Sequence, residues 1–175
     1  MRSVPGRFCA TVRLGSGKID VVFSMYGSCG RVNRMASTAN TYRTAANEHL
    51  GRAQEQFDSG GYVLAHYLAG LAIECHLRAY LRRKTSVFDS RHDLQLLAKE
   101  SGFLEIVATD RIFHFIVTAN TRWRSNHRYY SERQLLDYMN ELRAEFNNRG
   151  DRWKNLSRAL LNAAYEIIGQ GEAKW

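Results

Sequence analysis

The stretch from Gly60 to Lys84, GGYVLAHYLAGLAIECHLRAYLRRK, constrains this chain most. From Tyr62 to Leu81 nearly every position is apolar, the exceptions being His66, Gly70, Glu74, His76 and Arg78. A helix apolar round most of its circumference cannot lie on a surface, so the stretch predicts a central helix with other elements packed around it. It does not predict a membrane span, because His66 breaks the apolar run and Glu74 ends it well short of the roughly 20 residues a spanning helix needs. Glu74 is the anomaly. A carboxylate inside a buried helix is costly unless it is paired, hydrogen-bonded or used in chemistry.

The chain of 175 residues is long enough for one domain that needs no disulfide staple. Its three cysteines, Cys9, Cys29 and Cys75, follow no C-x-x-C spacing, which points to a reducing, cytoplasmic compartment. The net charge of +8 is unevenly placed. Residues 1–34 carry six basic side chains and one acid, a net +5, so the other 141 residues hold only +3. A general affinity for nucleic acid therefore does not follow from charge, and the case rests on where particular arginines sit.

Residues 1–35 read as a disordered or loosely packed N-terminal extension. They hold the single proline, several glycines and no helical periodicity, and the run IDVVFSMY has no partner strand elsewhere. An upstream mis-assigned start is one reading of this segment, with Met35 the natural beginning. Residues 36–175 read as the helical domain. Ser37 or Thr38 caps a first helix carrying Tyr42, Ala46, Leu50, Ala53 and Phe57 on one face, and Asp58-Ser59-Gly60-Gly61 turns the chain into the central helix as an antiparallel hairpin. Ser90 and Asp93 resemble a capping box for a short helix, HDLQLLAKE, closed by Gly102. Phe103 to Asn120 is a second strongly apolar helix, with Thr109-Asp110 as the place where it can break. Ser131, with Gln134 in the reciprocal position, caps a helix carrying Leu135, Leu136, Tyr138, Met139, Leu142 and Phe146. A last helix takes Trp153 to Ile168. The expected fold is an all-α, up-and-down bundle of five to six helices.

The chemistry is expected in the loop TRWRSNHRYY, Thr121 to Tyr130. Arg122, Arg124, His127 and Arg128 lie within seven residues, interleaved with Trp123, Tyr129 and Tyr130. Guanidinium forks suit phosphate, aromatic faces suit bases, and an imidazole can pass a proton near neutral pH. The plainer alternative is that a helix C-terminus displays cations where its dipole favours them, with Trp123 and Tyr129 packed on the core. No H-E-x-x-H, no paired His or Cys ligand spacing and no phosphate-cradling glycine loop is present, so neither metal nor cofactor is expected.

The run from Ala46 to Leu81, AxxxLxxAxxQFDSGxYxxAxYLAGxAxECxLRAYL, resembles the first two helices of the HEPN domain. His92-Asp93-Leu94 is similar to its H-D-L element, and Arg128-Tyr129 to its R-Y pair after the fourth helix. The resemblance spans about Thr41 to Asn148. It implies a helical bundle that forms homodimers, and in many members a metal-independent endoribonuclease of a toxin or phage-defence system. Such members use an Arg-x(4 to 6)-His motif to position phosphate and assist attack by the ribose 2′-hydroxyl. Arg122 and His127 match that motif at the end of the fourth helix, whereas the second pair with this spacing, Arg43 and His49, falls on the first helix. Ribonuclease members usually carry a small polar residue after the arginine, and this chain has Trp123.

The resemblance thus implies Arg122, His127 and Glu74 as catalytic residues, with Arg124, Arg128 and Tyr129 on phosphate or RNA. The alternative it implies is a non-catalytic HEPN module that binds a nucleotide or a protein partner such as an antitoxin or a nucleotidyltransferase-like protein. Glu74 discriminates between the two. Facing the Arg122 to Arg128 loop it supports the enzyme; satisfied by an arginine or tyrosine elsewhere in the core it favours the binding module.

Overall fold

The computed structural model describes residues 13, 14, 17, 18, 38–86, 91–107, 109–141 and 151–175, with only the backbone of 13, 14, 17, 18 and 139–141. The chain divides into two compact units, Met1–Ala36 and Ser37–Trp175. In the first, two two-residue strands, β1 (Arg13–Leu14) and β2 (Gly17–Lys18), pair antiparallel. The extension expected to be disordered, its IDVVFSMY run and the capping residue Ser37 otherwise lie outside the described residues.

The described regular elements of the second unit are all helices. Its elements are α1 (Ala39–Asp58), α2 (Tyr62–Lys84), α3 (Leu94–Glu100), α4 (Phe103–Ile106), α5 (Asp110–Arg122), α6 (Glu132–Glu141) and α7 (Arg152–Glu172), with a 3-10 turn at Ser125–Tyr129 before α6. Thr38 caps α1 by accepting the Thr41 N–H at 3.1 Å. The α1–α2 turn uses Gly60 at φ +84°, a conformation open to glycine and costly for other residues.

The central-helix expectation holds for the C-terminal half of α2, while Leu64 near its start is exposed. Every residue of α2 from Ala72 to Leu81 is buried, and an unbroken buried run of ten leaves no face of the helix to solvent. Helices α1, α3 and α7 pack directly on it, and α5 closes against α3 and α7. The main core gathers Ile73 and Leu77 of α2, Leu94 and Leu97 of α3, Phe103, Ile112 and Ile116, and Leu160, Ala164 and Ile167 of α7. A smaller cluster of Leu135, Trp153 and Leu156, flanked by Tyr62, Val63, Tyr130 and Tyr138, seals the end of the bundle where the 3-10 turn lies.

The second apolar stretch breaks where Thr109-Asp110 allowed it to: Thr109 takes the N-cap role and accepts the Ile112 N–H at 3.2 Å, so that α5 starts anew. Two local expectations are corrected. Phe113 of α5 is 53 % exposed instead of buried. The short helix is capped by Asp93 itself, whose carboxylate accepts the Leu96 N–H at 2.8 Å. Ser90, Leu142 and Phe146 lie outside the described residues. No described helix is long and apolar enough to cross a membrane.

Candidate functional site at the end of α5

Helix α5 ends at Arg122, and the segment that follows is laid against the N-terminal half of α2. Trp123 is the anchor. It is 1 % exposed, and its indole N–H donates to the Tyr67 carbonyl at 3.1 Å. The ring rests in a notch made by Gly70, where an added Cβ would sit 2.1 Å from the indole. No other side chain fits that close approach.

Two histidines flank the anchor. His66 of α2 donates its Nε2–H to the Arg122 carbonyl at 3.0 Å. His127, in the 3-10 turn, accepts the Arg124 backbone N–H on Nδ1 at 3.2 Å. The two rings lie 6.2 Å apart, and His127 also packs against Tyr130 and Tyr138. Both are buried. His66 Nδ1 and His127 Nε2 have no hydrogen-bond partner among the described residues. Burial away from water disfavours the imidazolium and pushes each ring down to about 4, with His66 and Arg124 adding to the effect on His127. At neutral pH both rings are uncharged.

The remaining loop residues face outward. Arg124 and Arg128 are exposed and Tyr129 is 73 % exposed, with the Arg128 guanidinium 4.7 Å above the Tyr129 ring. Arg128 is held above its ordinary value by Tyr129 and, secondarily, by Tyr67. Arg122 is half-buried, its carbonyl held by His66. The pairing of Trp123 and Tyr129 as core residues is therefore half right: Trp123 is packed and Tyr129 is not.

Glu74 does not join this group. Its Oε1 accepts from Arg78 Nε at 2.7 Å and from His92 Nδ1 at 2.9 Å, while the buried Oε2 has no hydrogen-bond partner among the described residues. Arg78 in turn donates to the Arg91 carbonyl at 2.6 Å. Glu74 stands two turns along α2 from His66, about 12 Å at 1.5 Å per residue, and it ties α2 to the approach of α3. Its partners are an arginine and a histidine, not Arg122 or His127.

The loop and the Glu74 cluster are nevertheless linked through the backbone. Asn120, buried on the last turn of α5, accepts the Leu94 N–H at 3.0 Å and so fixes the start of α3 to the end of α5. His66, Tyr138 and His92 are the contributors that sequence reasoning missed. The signal for His66 was its place as the first polar break in the apolar run, for His92 its H-D-L element and for Tyr138 its apolar helix face; which partners they meet comes only from the fold. Among the described residues no group of three His, Cys, Asp or Glu side chains is placed to hold a metal ion.

A sequence model of the HEPN domain matches residues 39–168. No curated protein matches the chain, and no solved structure matches it. The family match covers every helix from α1 through most of α7 and takes in the whole α5 terminus with its buried Trp123 and paired imidazoles. The chain belongs to the HEPN domain family.

Proposed function

We propose that this protein is a non-catalytic HEPN module that binds a nucleotide or RNA phosphate on the outer face of the Arg122 to Tyr130 segment. One observation carries the reading: the imidazole at the motif position is buried and neutral and spends Nδ1 on the Arg124 backbone, while Arg124, Arg128 and Tyr129 face solvent. Two guanidinium groups and an exposed phenol suit phosphate and base stacking. A proton-transfer group must reach the hydroxyl it serves, and His127 faces Tyr130, Tyr138 and His66 instead. Glu74, paired with Arg78 and His92, supports the same choice. Homodimer formation, and docking of an antitoxin or nucleotidyltransferase-like partner, belong to this proposal and are read by mass in solution.

The test is a thermal-shift panel of mononucleotides and short RNAs. A specific ligand raises the melting temperature by mass action, and Arg128→Ala or Tyr129→Ala removes the rise. Absence of any shift across the panel overturns the ligand assignment.

The second reading is the metal-independent ribonuclease, favoured by Arg122 and His127 framing one turn at the end of α5 beside a second imidazole, His66. Cleavage of RNA in EDTA to 2′,3′-cyclic phosphate ends, lost in His127→Ala, would establish it against the binding reading. Cleavage that survives His127→Ala would remove His127 from the mechanism.

A further inference from the structure

We propose that His66 and His127 are positioning residues, two halves of a latch: His66 fixes the Arg122 carbonyl to α2, His127 closes the turn beside it on the Arg124 N–H, and the latch opens in acid. The proposal extends the binding reading only in that the latched segment carries Arg124, Arg128 and Tyr129. Three side-chain hydrogen bonds hold three successive residues. His66 holds the Arg122 carbonyl, the Tyr67 carbonyl receives the Trp123 indole N–H, and His127 holds the Arg124 N–H. An extended segment between two helices lacks the internal hydrogen bonds that a helix supplies, so its backbone groups need such partners.

The two imidazoles use opposite chemistry on that backbone. His66 gives a proton from Nε2, a role it keeps when protonated. His127 offers the lone pair of Nδ1, a role that protonation abolishes, because both nitrogens of the imidazolium are donors. The Arg124 N–H would then meet a donor in place of an acceptor. The charges acting on the rings make protonation more disruptive still. Arg122 acts on His66, and Arg124 and the other imidazole act on His127, all of them cationic groups or groups that become so. Among the described residues, the groups beside the two rings also include the phenols of Tyr130 and, from α6, Tyr138, with the Leu156 carbonyl of α7 beside His66. The neutral rings are held low by burial, so the latch is closed at neutral pH and opens as the pH falls toward 4.

The experiment is amide hydrogen exchange by NMR on the full chain, following the Arg124 N–H with the Ile73 amide of the core as reference. In the wild type, Arg124 protection at pH 7 is expected to exceed about tenfold and to fall between about pH 6 and 4 by a larger factor than the protection of Ile73, which follows global stability. His127→Phe keeps a ring but no acceptor, and should speed Arg124 exchange at least about tenfold at pH 7. His127→Asn restores an acceptor that does not titrate, and should retain protection without the acid step. Unchanged protection in His127→Phe overturns the latch. An acid step in Arg124 that persists undiminished in His127→Asn, or one no larger than the fall at Ile73, overturns its acid opening. None of these readouts depends on a ligand, so failure of the binding reading and failure of the latch are separable.

Discussion

At the scale of single residues the protein is marked by buried imidazoles. His66, His76 and His127 are all held down to about 4, chiefly by burial. His76 has no hydrogen bond on either nitrogen among the described residues, and Glu172 approaches it only to 3.9 Å. A base with a depressed folded-state pKa binds fewer protons folded than unfolded in the window between the two values. Stability is therefore full above about pH 6.5 and is lost as the pH falls toward about 4, with fully buried His66 alone contributing on the order of 3 kcal/mol. Urea unfolding at pH 7.0, 5.5 and 4.5 should show a steady fall in the midpoint, and His66→Gln should flatten it. A midpoint insensitive to pH over that range would contradict the burial of these rings. Arg122 and His127 stood out in the sequence by their place at the end of the second apolar stretch, not by their spacing, which Arg43 and His49 share. Their surroundings were not legible, because Tyr138 and His66, which pack on His127 together with Tyr130, lie outside its segment, and the partners of Glu74 come from the next turn and from the far side of a loop.

At the scale of elements, sequence grammar worked best where a few adjacent residues decide the outcome. The Ser131–Gln134 capping box forms as expected, with Ser131 N–H donating to Gln134 Oε1 at 2.8 Å and Gln134 N–H to Ser131 Oγ at 3.3 Å. Ser131→Ala should cost about 1 kcal/mol and loosen α6 first, seen as a lower midpoint in urea; a change below about 0.3 kcal/mol would mean that packing of Leu135 and Tyr138 alone holds the helix. The grammar was least secure at the break between α4 and α5 and at the start of α3. In both places a short polar side chain competes for the cap, and which one wins depends on tertiary support: Asn120 holds the Leu94 N–H immediately after Asp93. Periodicity also overstated the burial of α5, where Phe113 points outward although its residue type belongs to a core.

At the scale of the whole molecule, the bundle was readable because one helix is apolar on every side, and a single such helix fixes what the others must do. The outer helices need only one apolar stripe each, which α1, α6 and α7 provide. The site at the end of α5 was less readable because it is assembled from segments distant in sequence. The hairpin of α1 and α2 is different: these helices are joined by the short Ser59 to Gly61 turn and share the most extensive contact in the domain, whereas α7 reaches α2 only after some 70 intervening residues. Loop-closure entropy makes the near pairing fast and the distant one slow. Folding is thus expected to nucleate on the hairpin and to close with α7. Alanine substitutions at Leu50 or Ile73 should slow refolding with φ-values above about 0.5, and one at Leu160 should mainly speed unfolding. The turn that begins the central helix would then set the rate at which the entire domain appears.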